Sequence, residues 1–464
     1  METPQILGAL LVILLIAAVG IWSGRQVKTA DDFATGGSRG SAYMVTGMSL
    51  ATLLGGACTV GTAQLAYQYG LAGWWYTLGT AAGCLVVAAF FAKVYRHSGC
   101  QTMTGIIRSE FGLRVDLTTS FVLFAGLVLS LTSQLIAATA VLPFIIPGLD
   151  PAQCLLATIL FIVSIVFFGG SLSAGKTGEI KTFLLIAISL LGGFAVLRRL
   201  GVERLYGTLE PKGYFRLFAR GTGNELGNFI ATVLGIVCTQ ANVQAVLSAK
   251  DDRAAQRGMA AGGVIVPVIG LCGVLVGMFM YMEEPSIPAA QAFPRFALGY
   301  LPKLAGGVAI GTLMITLVLS GAGTALGCAV ILTDDVIRPL ARRMMSGGAQ
   351  LACMRACVLG TLLLAGVLGS GVFGDTILNF SFLAMALRAV SLIAPFLCAV
   401  YAPGKVDRRF VWAGSIIGPA VVLVFGIWPI LPVDEIFAGI FACALCCAAG
   451  AVVKKAGRRD TQNV

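Results

Sequence analysis

Apolar runs of roughly twenty residues, almost free of charge, follow one another along the whole chain. Each is long enough to cross the ~30 Å hydrocarbon core as a helix. ILGALLVILLIAAVGIW near the start and GGVIVPVIGLCGVLVGMFMYM in the middle are typical. In hydrocarbon every backbone N–H and C=O needs a partner inside the protein, which leaves helices or closed barrels, and runs this long exclude barrel strands. The chain therefore reads as an all-α polytopic membrane protein. Only 11% of residues are charged and mean hydropathy is +0.91, against about 25% charged in soluble domains. No stretch is left over for a soluble domain.

About thirteen spans are expected: residues 4–23, 42–69, 72–94, 115–146, 152–170, 179–198, 224–247, 255–281, 302–334, 350–371, 376–401, 408–428 and 433–453. The first follows Glu2 with no preceding Lys or Arg, so it reads as a retained span and not a cleaved signal. Basic residues gather in alternate loops. Arg25, Lys28 and Arg39 follow the first span; Lys93, Arg96, Arg108 and Arg114 the third; Lys176 and Lys181 the fifth; Lys250, Arg253 and Arg257 the seventh. The opposite loops, such as PGLDPAQ and WPILPVDE, lack them. This bias places the N-terminus outside and the C-terminus in the cytoplasm. The basic segment 198–220 falls on the other side and is expected to be a short amphipathic surface segment.

The formal charge of +11 lies in these short loops, so it reads as a topology signal and not a nucleic-acid footprint. Most of the thirteen cysteines fall in apolar helices, where cysteine is a small hydrophobe. The Cys443–Cys446 pair lies in FACALCCAAG and reads as a buried helix face. His97 is the only histidine, which argues against a histidine metal site or catalytic triad. No nucleophile–base or paired-carboxylate spacing points to an enzyme.

Three features do suggest chemistry. LATLLGGACTVGTAQLAYQYG, residues 50–70, places Gly55, Gly56 and Gly61 inside a span. Glycines there either allow close helix packing or mark a broken helix whose freed carbonyls line a site. In the ninth span Thr316, Ser320 and Thr324 recur every four residues and share a face. Such hydroxyls can ligate a hard cation or bond back to their own carbonyls. Finally Gln134, Asn228, Gln240, Asn242, Gln244, Asn379 and Arg388 lie at membrane depth. An ionisable group there faces a partner or a polar cavity, so Arg388 either binds an anionic group or pairs internally.

DDFATGGSRG followed by LATLLGGACTVGTAQLAYQYGLAGWW resembles the start of sodium:solute symporters, and GG-x(4)-GTAxxxY is similar to their choline-transporter-like branch. RHSGCQTMTGIIRSEFG, FFGGSLSAGKTGEIKTF, QANVQAVLSAKDDRAAQR and the TDDVIRPL exit continue the likeness along most of the chain. The resemblance implies a LeuT-like core of five plus five helices in inverted repeats, 42–198 and 224–401, with 408–453 as two added helices. It implies a sodium site joining the second and ninth spans: Ala51, Leu54 and Thr316 through carbonyls, with hydroxyls at position 319 and Ser320. Leu319 departs from the family's hydroxyl there. Substrate-lining candidates are Gly55, Gly56, Thr59, Gln134, Gln240 and Arg388. The implied function is import of a small polar organic solute by cation symport, sodium being the expected coupling ion, through alternating access. The alternative is a proton-coupled or uncoupled carrier with a degraded sodium site. The partners expected are the solute and the lipid of a bacterial inner membrane, with no nucleic acid and no obligate protein partner. The Trp74–Trp75–Tyr76 cluster reads either as part of an aromatic cage for an organic cation or as an interfacial anchor.

Overall fold

The computed structural model describes residues 1–24, 40–100, 102–169, 174–338, 347–372, 377–428 and 434–460. Apart from one isolated bridge the regular secondary structure among the described residues is helical. In chain order the helices are α1 (Thr3–Gly24), α2 (Ala42–Leu53), α3 (Thr62–Tyr69), α4 (Trp75–Val86), α5 (Ala92–His97), α6 (Met103–Phe111), α7 (Leu113–Ile145), α8 (Pro151–Gly169), α9 (Ala174–Leu209), α10 (Thr222–Val237), α11 (Gln240–Leu247), α12 (Asp252–Glu283), α13 (Ala292–Tyr300), α14 (Lys303–Val330), α15 (Gly347–Val367), α16 (Ile377–Tyr401), α17 (Arg408–Ile427) and α18 (Glu435–Asp460). Nine stretches among the described residues are long and apolar enough to cross a membrane, or ten if α10 and α11, bent by 43°, form one span. The loop basic residues Arg25, Lys28 and Arg39 lie outside the described residues.

Both interruptions fall inside apolar sequence. After α2 the backbone leaves helical geometry at Leu54 (φ −82°, ψ 80°), and helix resumes as a wide turn, Ala57–Gly61, that runs into α3. The second break, at Cys238 and Thr239, separates α10 from α11. The two breaks are tied together at one end. Gly40 and Ala249 form a parallel bridge, with Gly40 N donating to Ser248 O (2.8 Å) and Lys250 N to Gly40 O (2.8 Å). Ser49 Oγ on α2 donates to Asn242 Oδ1 on α11 (3.0 Å), both buried. Thr46 Oγ1 adds a bond to Gly258 O on α12 (3.0 Å).

The dissenting basic segment is a cover. α9 continues past its apolar stretch to Leu209 with a kink at Gly201 (φ 70°). Leu205, Leu209 and Tyr214 then bury against Ala66, Val274 and Met278 of α3 and α12. Tyr214 accepts from Leu71 N (2.7 Å) through its carbonyl and donates from its hydroxyl to Tyr67 O (3.0 Å).

α1 lies along α14 in close backbone contact. A Cβ at Gly8 would stand 2.9 Å from Val308 N, one at Gly311 would stand 2.9 Å from Ala9 Cα, and one at Gly307 would overlap the Gln5 backbone. Small residues at i and i+4 let helices approach where lipid supplies no hydrophobic drive between them. Gly311→Val should therefore force α1 off α14. The expected cost is about 1–3 kcal/mol, typical of overpacking, read as a lower midpoint in denaturant unfolding of the detergent-solubilised protein.

Candidate substrate and cation site

The first break is held by α7 and α14. Gln134 Oε1 on α7 accepts from Gly56 N (2.9 Å), one of the N–H groups the interruption sets free. A Cβ on Gly55 would stand 2.6 Å from Gln134 Nε2. One on Gly56 would stand 2.5 Å from Leu317 Cδ2 and 2.8 Å from Ala137 Cβ. The glycine pair therefore serves both of the uses open to it: it permits close packing at the same point where the helix breaks. Thr59 is buried and its hydroxyl donates to Gly55 O (3.1 Å), so it closes the break from the α3 side.

The other side of the break meets α9. Lys181 Nζ donates to Ala51 O (2.8 Å) and to Ser320 Oγ (2.7 Å). Its side chain is only 2% exposed, and no carboxylate among the described residues pairs with it. This corrects the expectation that Lys181 is a loop charge: it lies in α9, with Gly178 one turn earlier at the α2 contact. A Cβ there would come within 3.1 Å of Ala51 Cβ, so glycine lets α9 press against α2. The signal available in the sequence was an ionisable residue inside an expected span.

Four residues stand as cation ligands on the resemblance, and two of them, Ala51 and Ser320, carry the Lys181 amino group. Leu54 stands at the end of α2. Thr316 Oγ1 is buried and makes no hydrogen bond in this structure. Thr324 Oγ1 bonds back to Ser320 O (2.9 Å), the local alternative to ligation. Leu319, like Ile180 and Leu184, packs against Val12, Ile16 and Ile315, an apolar cluster where α1, α9 and α14 meet. A sodium ion on the same oxygens does not fit beside Lys181. Two positive charges about 4 Å apart repel by about 4 kcal/mol at an effective dielectric of 20.

The second break is closed by side chains of its own surroundings. Tyr95 Oη donates to Val237 O (2.9 Å), and Asn242 Nδ2 to Ile236 O (3.1 Å). Arg388 of α16 reaches it as well. Its guanidinium is 3% exposed and donates from Nη1 to Thr239 Oγ1 (3.4 Å), from Nη2 to Ser130 Oγ on α7 (2.6 Å) and from Nε to Ala384 O (3.0 Å). No carboxylate among the described residues pairs with it. A guanidinium has five N–H donors, so these three bonds leave capacity for an anion.

The remaining candidates have partners of their own. Gln240 Oε1 accepts from Met103 N (3.4 Å) at the start of α6. The aromatic trio is split three ways. Trp74 Nε1 donates to Pro267 O (2.8 Å) and Trp75 Nε1 to Leu217 O (2.5 Å), while Tyr76 packs edge-on to Phe382 at 5.5 Å. Together the three do not form a cage.

Two apolar helices broken within their length, each break met by polar side chains of neighbouring helices, define a polytopic helical bundle with a polar interior. The sodium:solute symporter family matches residues 33–418, and the chain belongs to that family. It is 24% identical to the human sodium/iodide cotransporter over 85% of this chain and 65% of that one. It is 23% identical to the high-affinity choline transporter 1 of Caenorhabditis elegans over 89% of this chain and 75% of that protein. The chain thus spans just under two thirds of the cotransporter's length. Its fold matches the substrate-bound outward-open state of a Na+-coupled sialic acid symporter with a TM-score of 0.79 at 14% identity, covering 98% of both chains. The fold is LeuT-like, and the relatives are transporters, not enzymes.

Two substitutions test the geometry. Gly56→Ala should overpack against Leu317 and Ala137, lowering stability by about 1–3 kcal/mol in denaturant unfolding. Arg388→Lys keeps a charge but loses the fork that spans Ser130 and Thr239. A smaller drop in melting temperature is expected for it than for Arg388→Ala, which leaves both hydroxyls without their charged donor at about 1–3 kcal/mol.

Proposed function

We propose that this protein is a secondary transporter that imports a small polar organic solute by cation-coupled alternating access. The observation that carries this reading is the pair of broken helices, α2–α3 and α10–α11, whose interruptions face Gln134, Lys181 and Arg388 inside the bundle. Irregular backbone in hydrocarbon is tolerated only where protein or a cavity satisfies it, and substrate sites of such carriers lie at these points. In this reading residues 42–198 and 224–401 are inverted repeats, and 408–453 adds two helices. About thirteen spans place the N-terminus outside and the C-terminus in the cytoplasm of a bacterial inner membrane. Gly55, Gly56, Thr59, Gln134, Gln240 and Arg388 are the proposed solute-lining set, and Ala51, Leu54, Thr316 and Ser320 the proposed set for a positive charge, whether a bound ion or the Lys181 ammonium.

The family name supplies sodium as the coupling ion. A second reading, a carrier of the same fold that is proton-coupled or uncoupled, is favoured by Leu319 in its apolar cluster and by Lys181 on Ala51 and Ser320. The relatives' names offer an inorganic anion and an organic cation, and Arg388 favours an anionic solute. A thermal-shift screen should find small carboxylates raising the melting temperature more than choline does. The best of them should then enter proteoliposomes in a saturable way that Arg388→Ala reduces at least ~10-fold, about 1.4 kcal/mol. Proteoliposomes that take up no solute from such a panel would refute transport of this class. Accumulation that follows an imposed sodium gradient would return the first reading of the ion.

A further inference from the structure

We propose that the Lys181 ammonium is a tethered cation that permanently takes the place of the sodium ion between α2 and α14, so that the protein binds no sodium there. The inference rests on the transporter reading above but is tested apart from it.

Three independent features place the lysine there. Its two hydrogen-bond acceptors, Ala51 O and Ser320 Oγ, are two of the oxygens the family resemblance assigns to the ion. The distances of 2.8 and 2.7 Å are those of well-formed hydrogen bonds. Next, α9 is shaped to deliver the amine: Gly178 brings the helix against Ala51, and Ile180 and Leu184 seat it in the cluster with α1 and α14. Finally, Leu319 occupies the position where a further hydroxyl is expected and faces that same cluster. An apolar residue there would deprive a hard cation of a ligand. It costs an ammonium little, since the amine has only three donors to satisfy. The missing hydroxyl and the present lysine are therefore consistent with one site chemistry: a covalently held cation in place of an exchangeable ion.

The charge then serves the same purpose as the ion would. It binds the freed carbonyl of Ala51 to α14 and α9 and so locks the α2 side of the break. Being part of the chain, it neither enters with solute nor leaves with it. Solute binding at this break is thereby released from dependence on external sodium.

The test uses the purified full-length protein and its melting temperature in sodium chloride against potassium chloride at equal ionic strength. The wild type should melt at the same temperature in both. Lys181→Ala/Leu319→Ser removes the amine and restores the hydroxyl, and should be stabilised by sodium over potassium. Methylammonium chloride should raise the melting temperature of Lys181→Ala and leave the wild type unmoved. A sodium-specific rise in the wild type that Ser320→Ala abolishes would overturn the proposal. So would a folded double variant indifferent to sodium together with a folded Lys181→Ala indifferent to methylammonium. If neither lysine variant folds, the wild type and Ser320→Ala still decide the matter. No solute is present in any of these measurements, so failure of transport and failure of the tethered cation give separate results.

Discussion

A helix that stops inside hydrocarbon leaves carbonyl and N–H groups that water cannot reach, and the rest of this structure is arranged around that shortage. Each unsatisfied group costs several kcal/mol in such a medium. The two breaks meet it with different chemistry. At Cys238 and Thr239 the carbonyls of Ile236 and Val237 take neutral donors, the Asn242 amide together with Thr239 N on the first and the Tyr95 hydroxyl on the second. At Leu54 and Gly55 the partners are the Gln134 amide and the Lys181 amine. One break is thus sealed by dipoles and the other by a group able to carry a full charge. The Ser49–Asn242 bond and the Gly40–Ala249 bridge hold the broken helices side by side at one end, so the two closures cannot shift independently there.

Burying two basic side chains without a carboxylate partner is expensive, and the packing shows how each is kept. Lys181 sits where Gly178 allows two helix backbones to converge, with oxygen acceptors at hydrogen-bond distance. Arg388 is accommodated by Gly126, where a Cβ would come within 3.1 Å of its Cγ, and its fork spans three helices through Ser130, Thr239 and its own Ala384. In both cases small residues bring the backbones close and hydroxyl or carbonyl oxygens surround the cation. That pattern concentrates positive potential in the middle of the bundle, which is a poor environment for a cationic solute and a good one for an anionic one.

The helical class, the break at Gly55–Gly56 and the buried arginine were legible in the sequence because each depends on local chemistry: apolar length, glycine in a span, charge at membrane depth. The family resemblance points to Ala51 and Ser320, which the fold brings to the Lys181 amine. Lys181 was not legible in the same way. A lysine near a span boundary supports two physical readings, a snorkelling loop charge or a buried one, and only the three-dimensional approach of α9 to α2 separates them. The partner of Gln240 was not legible for a related reason. An amide at a break is polar at the expected depth, but its direction is set by which neighbour offers a donor, here Met103 N at the start of α6. The Trp74–Trp75–Tyr76 run kept two readings open in sequence, and the three side chains turn to different partners, Pro267 O, Leu217 O and Phe382.

A fixed cation changes what can drive transport. An exchangeable ion crosses with the solute, and each elementary charge moved is worth about 2.3 kcal/mol per 100 mV. An ammonium fixed to α9 contributes nothing of this kind unless α9 itself moves through the field. What remains is its local effect: it stabilises whichever conformation brings Ala51, Ser320 and Nζ together. A ligand can shift such an equilibrium only by binding one state better than the other. With the cation built in, that differential has to come from the solute itself or from a proton or ion acting elsewhere. An anionic solute drawn to Arg388 is suited to supply it, since its charge would be felt at the second break while Lys181 holds the first closed.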